Sequence, residues 1–126
     1  MSHFTTIQTQ VRDLDALSRA LSELGLALHE KIKARGYGNN SLKGDYVIRL
    51  KGPYDIAVNQ QRDGTFGLTT DWWDGHVEKE VGPNFGRLLQ LYAVHKATAE
   101  ARKRGHSVQR KNALHGAIKL AIGGVA

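Results

Sequence analysis

Tyr54-Asp55-Ile56-Ala57-Val58-Asn59, then Arg62-Asp63-Gly64-Thr65, then Phe66-Gly67-Leu68-Thr69-Thr70 is the stretch that decides the fold. Tyr54, Ile56 and Val58 alternate with Asp55, Ala57 and Asn59, the period of a strand with one apolar face turned inward. The Asp-Gly pair then supplies a turn, and Phe66, Leu68 and Thr70 resume the alternation up to Trp72-Trp73. Two strands joined by so short a link must be antiparallel. Tyr46 to Leu50, separated from the first strand by the turn at Gly52-Pro53, adds a third strand by the same reasoning.

Upstream, Phe4 to Val11 is rich in β-branched residues and reads as a strand over about 3–11. The period then changes. Leu14, Leu17, Leu21 and Leu24 form an apolar helical stripe, with Asp13 placed as N-cap and Gly25 as the left-handed residue after the last turn. Leu26, Leu28 and Lys31 to Lys33 suggest a strand leaving that glycine, and Arg35 to Gly44 reads as a loop. This glycine-rich segment lacks the Gly-Lys-Ser/Thr ending of a nucleotide-phosphate loop.

Downstream, Gly82-Pro83 opens a second helix, since proline at a first helical position forfeits no hydrogen bond. Its expected buried stripe is Phe85, Leu88, Leu89, Tyr92, Ala93 and Ala99, and Gly105 ends it. His106 to Lys111 and Ala117 to Ile122 close the chain as two strands around a turn at 112–116. The expected order is β-α-β-β-β-β-α-β-β: one α+β domain over residues 1–126, a mainly antiparallel sheet with two helices on one face.

The chain has 126 residues and no cysteine, which excludes disulfides, thiolate metal sites and cysteine nucleophiles. No run approaches the roughly 20 apolar residues of a membrane span, and the first residues lack a secretory pattern. A soluble intracellular protein without membrane contact is expected. The charge is uneven. Residues 1–95 balance, so the formal +6 arises in residues 96–126, where seven Lys/Arg face Glu100 alone. Arg102, Lys103, Arg104, Arg110, Lys111 and Lys119 are therefore candidates for a polyanion or an acidic partner. Arg102 to Arg104 also suit the last turn of a helix, where cations are favoured without any ligand.

Asp71-Trp72-Trp73-Asp74-Gly75-His76, followed by Glu78 and Glu80, is the most unusual string. Its acids and imidazole are of metal-binding or acid-base type, but their spacing matches no recognised motif. Tryptophan is enriched as an interface anchor, so Trp72, Trp73 and Tyr54 are taken as candidate interface aromatics. The six histidines are scattered without the paired spacing of a zinc site, and no cofactor is expected.

Three segments carry a family resemblance: Ser2-His3-Phe4-Thr5-Thr6-Ile7-Gln8-Thr9-Gln10-Val11 with the helix after it, Tyr54-Asp55-Ile56-Ala57-Val58 leading to Asp71-Trp72-Trp73, and Gly116-Ala117-Ile118-Lys119-Leu120-Ala121-Ile122. Together they resemble the hypothetical chloroplast reading frame thirty-five proteins, a family of plastids, cyanobacteria, other bacteria and phages without established activity or catalytic residues. The resemblance implies an accessory or adaptor subunit, because members are often encoded beside a MoxR-class AAA ATPase. The basic ending departs from plastid-like members and points to a bacterial or phage cytoplasm rather than a plastid stroma. The leading expectation is a non-enzymatic module that binds a protein partner, an AAA ATPase among the candidates. The alternative is a nucleic-acid-binding module that uses the basic segment on phosphates, with Tyr37 or a tryptophan stacking on bases.

Overall fold

The computed structural model describes residues 3–125, so Ser2 of the quoted opening lies outside the described residues, as do Met1 and Ala126. The predicted hairpin is present: β6 (Ile56–Gln60) pairs antiparallel with β7 (Phe66–Asp71), with Val58 opposite Leu68. At its turn Gly64 takes φ +87°, a value that favours glycine. β1 (Phe4–Gln8) joins the far side of β7, β5 (Tyr46–Ile48) joins β6, and the two-residue β2 (Leu28–His29) closes the edge. All pairs in this five-stranded sheet, ordered β1-β7-β6-β5-β2, are antiparallel.

α1 (Leu14–Glu23) has the predicted caps. Asp13 accepts a hydrogen bond from the Ala16 N–H at 3.1 Å, and Gly25 sits at φ +73° while the Leu26 N–H returns to the Leu21 carbonyl. Leu17 and Leu21 are fully buried, and Ala16 and Ala20 between them let the helix lie close against the sheet. A short helical turn not expected from sequence precedes the second long helix. Glu78–Val81 forms a single turn, α2; Gly82 breaks it at φ +84°; Pro83 opens a short 3-10 turn; and α3 runs from Gly86 to Lys103.

The buried face of α3 is Leu88, Leu91, Tyr92 and Val94, with Ala101 farther along, whereas Ala93 is exposed. Of the stripe expected from sequence, Phe85, Leu88 and Tyr92 are buried and Leu89 and Ala99 half-buried, while Leu91 and Val94 take the place given to Ala93; the Tyr92 hydroxyl ties this face to α1. It accepts the backbone N–H groups of Arg12 (3.1 Å) and Asp13 (3.2 Å) at the start of α1. Both long helices pack on the sheet face formed by Tyr46, Ile48, Ile56, Val58, Phe66 and Leu68.

The segment 35–44 is a correction. Instead of a loop it contributes to a hairpin of β3 (Lys33–Arg35) and β4 (Ser41–Lys43), and the strand expected over 26–33 shrinks to β2 before Lys31 turns the chain at φ +62°. The hairpin covers the sheet's second face, packing Ala34, Ile32 and Leu42 on Val47 and Ala57. Consequently every residue of β7 is buried. Gly36 makes this cover fit, since a Cβ there would stand 2.5 Å from the Phe4 ring. The last two strands, β8 (His106–Asn112) and β9 (Ile118–Val125), form a separate antiparallel ribbon against α3.

Candidate functional site

The aromatic string turns at the end of β7, and a buried carboxylate shapes it. Asp71 accepts the Tyr37 N–H at 3.1 Å through one oxygen and the Trp73 N–H at 3.0 Å through the other. It therefore joins the tip of the β3–β4 hairpin to the turn at Trp73–Gly75, where Asp74 and Gly75 take positive φ. The two tryptophans part here. Trp72 turns inward against Phe85, with ring centroids 4.7 Å apart. Trp73 stays 45% exposed and meets Tyr37, 46% exposed, edge to face at 6.0 Å.

Beside this pair a cleft of about 550 Å³ is bounded by Arg35, Tyr37, Asn39, Pro53 and Tyr54. Tyr54 is buried at its floor rather than displayed, with its ring edge on His76 at 5.5 Å. Burial, with the nearby charge of Asp71, pushes its phenol above the ordinary tyrosine range.

Under the cleft lies Asp55, whose side chain has no solvent exposure. Its two oxygens take a forked pair of hydrogen bonds from Arg35 Nε and Nη2, both 2.8 Å, and the N–H groups of Arg35 (2.9 Å) and Leu50 (3.0 Å) complete the set. Arg35 reaches on to the carbonyls of Leu50 and Gly52, and Arg49 stands 3.4 Å from the same carboxylate. Burial alone would raise the Asp55 pKa, but these donors and the Arg35 charge outweigh it and hold the carboxyl below its ordinary range. The result is a rigid floor. Sequence reasoning missed both residues, Asp55 because its strand face was expected outward and Arg35 because it was read as the start of a loop; an aspartate beside Ile56, Ala57 and Val58 was the available signal.

The acidic candidates do not gather. Asp71 is used in the turn, Asp74 and His76 stand 3.8 Å apart at the surface, and Glu80 accepts the N–H groups of Lys51 and Gly52. Among the described residues no group of three or more His, Asp or Glu is placed to hold a metal ion.

The six basic candidates divide into three places. Arg102 and Arg110 line one small cleft with Arg19 and His95. Lys103 and Arg104 end α3 near Glu100, whose carboxyl is lowered first by its bond to Lys96 and then by these charges. Lys111 and Lys119 lie opposite each other across the β8–β9 ribbon. Arg19 and His95 were not singled out in the sequence, because only the fold brings α1 to this place. No helix among the described residues is long and apolar enough to cross a membrane.

No solved structure matches the chain significantly. Two curated relatives align over 97% of this chain and 96% of their own length: the uncharacterized protein ycf35 of Pyropia yezoensis at 32% identity and that of Guillardia theta at 29%. The model of a protein family of unknown function, DUF1257, matches residues 20–121, from the last turn of α1 through the whole of α3 and β2 to β8, and into the first half of β9. The match spans the Asp55 floor, the aromatic turn and the basic ribbon together, and on these grounds the chain belongs to the DUF1257 family.

Proposed function

We propose that this chain is a non-enzymatic protein-interaction module that docks its partner on the Tyr37–Trp73 face and the adjoining cleft. The observation that carries this reading is the aromatic pair itself. Two large side chains from distant parts of the chain stand about half exposed and mutually braced, and buried Asp71 fixes the backbone of both. Pre-fixed aromatic side chains lose little entropy on binding and make strong anchors. The alternative, nucleic-acid binding through the basic end, asks for a continuous stripe of cations, and the division of these residues into three places favours it less.

The partner class that the family resemblance suggests is an AAA ATPase of the MoxR class. Both relatives carry the name ycf35, a chloroplast reading frame, which supports a plastid-type setting over a bacterial or phage one. The test is affinity capture of a co-expressed MoxR-class ATPase by this chain and by its Trp73→Ala and Tyr37→Ala variants. Removing an interface anchor should weaken capture at least about tenfold, with the unfolding midpoint unchanged. Equal capture by wild type and Trp73→Ala would reject the docking face, and no capture by wild type would reject the ATPase.

A further inference from the structure

The small cleft between α1, α3 and β8 is a second site, sharing no residue with the aromatic face. His95, Thr98 and Arg102 follow one another on a single face of α3 at helical spacing. That face meets Arg19 of α1 and Val108 and Arg110 of β8 around a cavity of about 290 Å³. Three guanidiniums and an imidazole thus line a space at the small end of ligand pockets.

One carboxylate answers them. Glu23 accepts a hydrogen bond from Arg110 at 2.9 Å and pairs with His95 as well, an internal anion on one side of the set. Its carboxyl is held below the usual range, first by the Arg110 hydrogen bond. Arg19 and Arg102 are both exposed, and among the described residues neither has a hydrogen bond or ion pair. Three arginines against Glu23 leave two positive charges at the mouth of the cleft.

We propose that this cleft binds the dianionic phosphate group of a small molecule, held between the forked guanidiniums of Arg19 and Arg102 with Arg110 behind them. Charge decides the ligand class. A phosphate monoester carries nearly two negative charges at neutral pH and presents three acceptor oxygens, whereas a carboxylate would satisfy one of the two free guanidiniums. Arginine's planar fork suits tetrahedral oxyanions, and lysine at these positions would not reproduce it.

Isothermal titration of the full chain at about 50 mM salt is the test, with inorganic phosphate and glycerol 3-phosphate as separate arms and acetate as the monoanion. One saturable site per chain for either phosphate probe supports the proposal, and the tighter arm tells free phosphate from an esterified group. Arg19→Gln and Arg102→Gln should each weaken binding about tenfold or more, the size of a lost charged hydrogen bond. Lys43→Gln, on the hairpin that covers the opposite face of the sheet, should change it less than twofold. Glu23→Gln removes the internal competitor and should tighten binding. The proposal is overturned by failure of both phosphate probes to saturate, by acetate binding as tightly as phosphate, by retention of binding in Arg19→Gln and Arg102→Gln, or by weaker binding in Glu23→Gln. Because the sites are separate, these results leave the aromatic docking face to its own test.

Discussion

Asp55 shows what one residue can decide. A carboxylate without solvent exposure survives only if its oxygens are satisfied, and here four donors and two arginines surround it. Through Arg35 it joins the hairpin cover to β6, and through Leu50 it fixes the turn below the cleft. In Asp55→Asn the amide would present donors to donors. Breaking a buried pair in this way costs about 3 to 5 kcal/mol, and the lower end is expected because Arg35 is partly exposed and can hydrate. Urea unfolding at neutral pH measures this loss, and Asp74→Asn on the exposed turn should stay within about 0.5 kcal/mol of wild type. A loss no larger in Asp55→Asn than in Asp74→Asn would contradict the role assigned to the buried carboxylate.

Among elements, the central hairpin and α1 were legible because their signals are local: alternation, an Asp-Gly turn, an N-cap and a closing glycine all act within a few residues. The β3–β4 cover was not legible, since Gly36, Tyr37, Gly38, Asn39 and Asn40 have loop composition and their flanking strands are three residues each. What holds that cover is long-range: Ala34, Ile32 and Leu42 on Val47 and Ala57, the Arg35–Asp55 bonds, and the seat of the Phe4 ring over Gly36. A double-mutant cycle tests it. Gly36→Ala should cost about 1 to 3 kcal/mol by overpacking, because its Cβ would fall 2.5 Å from the Phe4 ring. In a Phe4→Ala background the same change should become neutral or slightly stabilising, as expected when alanine restricts the unfolded chain without a clash. Additive costs in the two backgrounds would mean that the hairpin does not rest on Phe4.

At the scale of the molecule, the basic end was legible as charge but not as a site, because composition does not say that Arg102 and Arg110 meet Arg19 while Lys111 and Lys119 turn elsewhere. The aromatic face was half legible: the Trp72-Trp73 pair stood out, and only the fold shows that Trp72 faces the core and Tyr37 supports Trp73. The fold's charge network also sets a pH dependence. Asp13, Glu23, Asp55 and Glu100 all have lowered carboxyl pKa values, so each contributes stability present above its unfolded pKa and lost as pH falls through the folded one. Exposure decides their weights. The pairs of Asp13, Glu23 and Glu100 leave side chains 28%, 31% and 43% exposed and are worth little each, whereas Asp55 is fully enclosed. The urea midpoint should therefore be nearly flat from about pH 8 to 5 and fall steeply below about pH 4, in the window where unfolded carboxylates take up protons. Asp55→Asn should start lower at neutral pH and fall less on acidification, because the variant has already lost the largest proton-linked contribution. Parallel acid limbs in wild type and variant would assign the acid loss to the surface pairs instead.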